Sequence, residues 1–280
     1  MRILPINKSI LTSNKTINNN YQSKPNINKI NFKGGLNDNF VTYVKNIDVK
    51  RVEQNLRRWG VKADFKGNKI VAACSEKTAQ FFRESGLFQL FPTKISLEDL
   101  NEDRLGQCYT RTREINFNSK YFGMTNKSVE EQLNEISSRQ DYGKLTQFKS
   151  SDNFLHTFIH EFAHSIHFAN LTDKYQWNKT QEIIAIMDQI PLKSNSIIRG
   201  ESGYATTNPC EFVAENIARR FNLAINPNLE LDYNPMSVFK DSRELSTSEQ
   251  LTRDRTIRYR LFNAAWNGNV KEILNIIENS

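Results

Sequence analysis

Glycine and proline are scarce in this chain, 11 and 7 among 280 residues, which excludes a collagen-like repeat and a long proline-rich linker. Cysteine is scarcer still, with Cys74, Cys108 and Cys210 as the whole set. An odd number without CxxC spacing supports neither a disulfide framework nor a cysteine zinc site, and it suits a reducing compartment. No apolar run approaches the roughly 20 residues needed to cross a bilayer, so no membrane partner is expected. The stretch "MRILPINKSILTSNK" has an early positive charge but no continuous apolar segment, so no Sec-type signal peptide is expected. The expected location is the cytoplasm, or a destination reached by a route without a Sec signal.

Charge is plentiful, with a net +7 and a pI near 9.2. The positive residues are interleaved with acids, as in "VKRVEQNLRR" and "RELSTSEQLTRDRTIRYR". No glycine-aromatic RNP-like pattern accompanies them, so nucleic acid is not expected as a partner. At 38% hydrophobic the chain can bury a real core, as one domain plus an appendage.

Residues 1–39 are rich in Asn, Lys, Ser and Ile without sustained period, and are expected to form a disordered tail. The main domain is expected over 40–222. "DVKRVEQNLRRWG" repeats Val49, Val52, Leu56 and Trp59 on one helical side, with Gly60 as its stop. "VKADFKGNKIVAAC" reads as a hairpin turning at Gly67-Asn68, and "SEKTAQFFRESG" as a helix between Ser75 and Gly86. "REINFNS" alternates as a strand with Asn116 and Asn118 on a wet face, and "SVEE" at 128–131 is a capping box. Helices mixed with antiparallel-looking strands, without regular βαβ alternation, predict an α+β fold around a small mixed sheet. Residues 223–280 read as a polar linker and a helical extension. Its end, "LFNAAWNGNVKEILNIIENS", resembles a single ankyrin-type helix pair. One such unit cannot bury its own apolar face, so it is expected to dock on the main domain.

All four histidines, His156, His160, His164 and His167, fall within "HTFIHEFAHSIH". The pattern predicts a helix from Phe154 to Asn170, with Ser151 or Asp152 available as cap. At about 100° per residue, Phe154, Leu155, Phe158, Ile159, Phe162 and Ile166 cover one half, and the histidines share a sector of about 80°. Either a metal gathers these imidazoles, or they are the wet face of an amphipathic helix. Within them stands H-E-x-x-H, as His160, Glu161 and His164. Residues i and i+4 lie one turn apart, so both imidazoles can reach one Zn²⁺ at about 2.0–2.1 Å. Glu161 projects beside that face, where it can reach water at the metal and serve metal-assisted amide hydrolysis.

A catalytic zinc needs a third protein ligand. A straight helix cannot wrap three of its own side chains around one ion, so His156 and His167 read as polar-face or orienting residues. The HExxHxxGxxH solution is absent, since His167 and Asn170 occupy its glycine and final histidine positions. Downstream, "GYATTNPCEFVAENIARRF" predicts a second helix opened by Pro209, with Phe212, Val213, Ile217 and Phe221 on its apolar stripe. Glu211 and Glu215 point together from it. One carboxylate can complete a His₂Glu site while the other orients a ligand imidazole through its free N–H.

"HEFAH" followed by "YATTNPCEFVAE" resembles the lethal-factor-like zinc metallopeptidases, a gluzincin group containing the catalytic domain of anthrax lethal factor and the Pro-Pro endopeptidases. The group's Y-x-x-x-N-x-x-E-x-x-A-E pattern falls on Tyr204, Asn208, Glu211, Ala214 and Glu215. Ala163 departs from it, standing where several relatives have glycine. In order of elements the resemblance spans residues 105–222. It implies a zincin-like domain that binds one zinc per chain through His160, His164 and Glu211. It also implies Glu161 as general base, Glu215 as orienting carboxylate and Tyr204 as the hydroxyl that stabilises the oxyanion. The substrate would be a protein or peptide, and a toxin or effector role would fit. The strand around "EINFNS" is expected to line the cleft and pair with substrate. Residues 171–203 are expected to supply a specificity loop. Two alternatives stand beside this reading. One is a catalytically inactive zincin-fold binding module; the other is a phage-associated structural protein, which would show salt-dependent DNA retention.

Overall fold

The computed structural model describes residues 38–100, 104–123, 126–141, 155–192, 204–225 and 247–279. The tail as far as residue 37, the suggested caps Ser151 and Asp152, Phe154 and most of the 223–246 linker lie outside them. The described residues form an α+β fold of ten α-helices and four strands.

Helix α1 (Asp38–Asn46) leads into α2 (Val49–Arg58), where the Asp48 carboxylate caps Arg51 N and Gly60 turns the chain at φ 84°. Val52 and Leu56 are the buried side of α2, as their spacing requires. Strand β1 (Lys62–Asp64) then leads to α3 (Lys69–Glu84). The expected hairpin at Gly67-Asn68 is not there. The chain does turn, with Lys66 and Gly67 both at positive φ, but Asn68 Oδ1 accepts from Val71 N at 2.9 Å and starts a helix. The run Ile70–Cys74 is buried all round in that helix, and a short apolar run of this kind reads equally as strand or buried helix. Ser75, expected as a helix start, is a buried residue inside α3, while Gly86 does follow the helix end.

Strands β2 (Lys94–Glu98), β3 (Gly106–Tyr109) and β4 (Glu114–Asn118) complete a sheet in the order β1-β2-β4-β3. β1, β2 and β4 run parallel, and β3 pairs antiparallel with β4 at one end of the order. The sheet is therefore mixed, but more parallel than the strands suggested, and β1-α3-β2 is a parallel crossover. Asn118 is buried rather than wet. Its Nδ2 donates to Leu100 O and Arg104 O at 3.0 and 2.8 Å, and its Oδ1 caps α4 (Ser119–Phe122) through Lys120 N. At the start of α5 (Val129–Asp141), Ser128 N donates to Glu131 and Glu131 N to Ser128 Oγ, the reciprocal pair of a capping box.

The long helix α6 (His156–Tyr175) packs against β3 and β4 of this sheet. Phe158 meets Phe117 of β4 at a ring separation of 4.1 Å, and Phe162 stacks on Phe82 of α3 at 5.9 Å. Each such buried aromatic contributes roughly 1.5–3 kcal/mol, which makes this seam the core. The part of the expected specificity loop that lies among the described residues, 171–192, is largely helical. After Gln176, at φ 63°, α7 (Trp177–Asp188) packs back on α6. Helix α8 (Pro209–Ile225) lies along α6. The last pair, α9 (Thr247–Trp266) and α10 (Val270–Glu278), docks on α6, α7 and α8. Among the described residues no helix is long and apolar enough to cross a membrane.

Candidate metal centre

The histidine side of α6 is as buried as its apolar side. His156, His160, His164 and His167 retain 7, 6, 8 and 0% exposure, so this face is enclosed rather than wet. Buried imidazoles need polar partners, and α8 and α9 bring them.

Three donor atoms converge between α6 and α8. His160 Nε2 lies 3.0 Å from His164 Nε2 and 3.0 Å from Glu211 Oε2, and His164 Nε2 lies 3.1 Å from the same oxygen. Ligands bonded at about 2.0–2.1 Å to a tetrahedral ion stand about 3.3 Å apart, so this triangle is close to the size a zinc ion requires. Behind it, His160 Nδ1 is 2.8 Å from Glu215 Oε1. A neutral His160 that donates there has its Nε2 lone pair facing the other two donors. Three lone pairs converging out of water repel one another unless a proton or a metal cation lies among them. These buried His and Glu groups can hold a metal ion, and His160, His164 and Glu211 form one such group. A second group, His156, His160 and Glu215, shares His160 with the first. Its contacts at 2.8 and 2.9 Å have ordinary hydrogen-bond length.

Electrostatics follow this geometry. Burial pushes Glu211 up, but the His164 charge and hydrogen bonds from His160 and His164 outweigh it and hold the carboxylate well below its usual range. Glu215 is likewise pushed up by burial and held down more strongly by His156 and His160. Burial disfavours charge on His160, yet Glu211 and Glu215 raise its pKa well above the ordinary imidazole value. The pocket thus holds two anions that call for positive charge at the imidazole face.

Glu161 is 7% exposed and stands outside the converging triad, against β3. Burial raises its pKa, while a hydrogen bond from the Cys108 backbone acts the other way. Tyr204 is half exposed, with its ring edge-on to His160 at 5.5 Å. Burial of its inner part raises the phenol pKa. His167 belongs elsewhere. Its Nε2 meets Ala265 O at 2.9 Å, its ring stacks on Trp266 at 5.5 Å, and burial pushes its pKa down to about 3.

The chain matches no known family, curated protein or solved structure.

Three further residues bear on this centre. Asn208 is the asparagine of the Tyr204–Glu215 stretch, and its Oδ1 accepts from Glu211 N at 2.9 Å. It caps α8 at the turn that carries the candidate ligand. Its position three residues before Glu211 and one before Pro209 is a legible cap signal. His156, read as a polar-face or orienting residue, contacts Glu215 at 2.9 Å. Gly106, on β3, leaves room for Glu161, and nothing local in the sequence marks it.

Proposed function

We propose that this chain is a zinc-dependent endopeptidase with a zincin-like domain of the lethal-factor-like gluzincin type. The observation that carries the reading is the triangle of His160 Nε2, His164 Nε2 and Glu211 Oε2, with sides of 3.0–3.1 Å, beside the buried carboxylate of Glu161. Support also comes from a helix carrying HExxH laid against a mixed sheet with an antiparallel end strand beside it.

His160, His164 and Glu211 would hold one zinc, and Glu215 would fix His160 through its Nδ1–H. When bound, the ion supplies Lewis acidity, polarising a substrate carbonyl and making water nucleophilic near neutral pH. Glu161 takes the proton of the attacking water and delivers it to the leaving amine. Its enclosure, with a raised pKa, suits a carboxylate that must both accept and release a proton. Tyr204, exposed at the mouth and edge-on to His160, offers its hydroxyl to the oxyanion. The strand that borders this site is β3, not β4. β4 is paired on both sides, by β2 and β3, so its backbone is committed. Among the described residues β3 pairs only with β4, and an extended peptide would add along its other side.

The test is zinc content per chain by elemental mass spectrometry, on wild type and Glu211→Ala, purified without chelator or histidine tag. About one zinc in wild type, and much less in the variant, is expected. A peptide-library digest with Glu161→Ala as inactive control then reports cleavage. A well-folded wild type that stays metal-free when supplied with zinc overturns the reading.

A further inference from the structure

We propose that His156 is a positioning residue of the metal centre, holding Glu215 in the orientation from which Glu215 directs His160. The inference rests on the reading of His160 as a metal ligand through Nε2.

His156 and His160 are one turn apart on α6, and the Glu215 carboxylate from α8 enters between them. A single oxygen, Oε1, lies 2.9 Å from His156 Nε2 and 2.8 Å from His160 Nδ1. All three side chains are buried, at 7, 6 and 3% exposure. An anion enclosed in this way is costly unless N–H groups point at it. Two imidazoles supply them, from opposite ring positions. His160 must carry its proton on Nδ1, because its Nε2 lone pair faces the metal position. His156 must carry one on Nε2, because that is the atom facing the carboxylate. The two rings therefore have complementary protonation, and Glu215 is fixed from both sides rather than one. Removing the His156 N–H takes away one of the two imidazole contacts on Oε1, and the direction of the His160 lone pair loosens with it. Groups that orient a ligand imidazole typically change metal affinity by 10–100-fold. His156 acts one step further out, so roughly a tenfold loss is expected of its removal.

The experiment compares zinc affinity, by competition with a chromophoric chelator, for wild type, His156→Phe and His156→Gln, together with the melting temperature of each metal-free protein. Phenylalanine keeps the ring volume and removes the donor; glutamine can place an amide N–H near the position of Nε2. The expected result is about tenfold weaker zinc binding in His156→Phe, with affinity near wild type in His156→Gln. A histidine with only a packing role would lower the melting temperature of His156→Phe and leave zinc affinity unchanged, and that result overturns the inference. Should His156→Phe not fold, the wild-type protein labelled with ¹⁵N-histidine decides. With only four histidines, long-range ¹H–¹⁵N spectra of the zinc-loaded protein report each tautomer. A proton on Nε2 of His156 is expected; a neutral ring protonated only on Nδ1 overturns the inference. If wild type itself binds no zinc, the proposed function fails along with it; if wild type binds zinc and His156→Phe binds it equally, only the role of His156 fails.

Discussion

A methyl group on Gly106 would stand 3.1 Å from Glu161 Cγ and 3.2 Å from the ring of Phe117. The backbone of β3 therefore touches the proposed general base directly, and the missing side chain sets that approach. In Gly106→Ala, either Glu161 or β3 must give way by a few tenths of an ångström. Catalysis is sensitive to misplacement on this scale. The expected outcome is roughly a tenfold lower kcat with zinc content per chain unchanged, read by steady-state peptide cleavage and elemental analysis. Equal kcat in the two proteins would show that Glu161 tolerates the shift.

Asn208→Ala removes the acceptor for Glu211 N in the first turn of α8. Losing such a cap costs about 1 kcal/mol. Because the frayed turn carries Glu211, zinc affinity should fall together with stability. Urea denaturation of the metal-free protein and chelator competition measure the two effects separately. Asn208→Asp, which keeps the acceptor, should recover most of the stability.

His167 gives the fold a pH dependence. Its pKa is pushed by burial down to about 3, against an ordinary value of 6.5. Between those values the unfolded chain binds a proton that the folded one does not. The contribution is therefore complete above about pH 6.5 and is lost as pH falls toward 3, by about 1.4 kcal/mol per unit. His167→Gln can still donate to Ala265 O but does not titrate. The metal-free variant should lose less stability than wild type between pH 6.5 and 5, by about 2 kcal/mol. Parallel denaturation curves across that range would contradict this.

Gly268 joins α9 to α10 at φ 64°, and a Cβ there would come within 2.9 Å of Ile183 and 3.0 Å of Leu171. Gly268→Ala combines left-handed strain with overpacking against α6 and α7. A loss of roughly 2–4 kcal/mol is expected from chemical denaturation. A smaller loss would mean that the C-terminal pair can lift from the domain at little cost.

Local chemistry made several elements readable in advance. The Ser128/Glu131 capping box, the Asp48-to-Gly60 helix and the face shared by His160 and His164 depend only on neighbours within a turn or two. The second arm of the hairpin expected at Gly67-Asn68 is instead the start of α3, for the complementary reason. The apolar run Ile70–Cys74 has no wet side, and periodicity is silent where every side is buried. Asn116 and Asn118 alternate like a wet face, yet Asn118 is enclosed because the carbonyls of Leu100 and Arg104 come to it from a loop.

The candidate centre divides along the same line. Helical spacing alone placed His160 over His164 and Glu211 over Glu215, since 3.6 residues per turn is a property of the backbone. That Glu211 meets both Nε2 atoms while Glu215 enters between His156 and His160 depends on how α8 slides and turns against α6. That packing is set by apolar side chains far apart in the chain. The enclosure of the histidine face under α8 and α9, and the contact of Gly106 with Glu161, arise in the same way. Spacing along one helix is covalent arithmetic, whereas contacts between elements exist only once the core has closed.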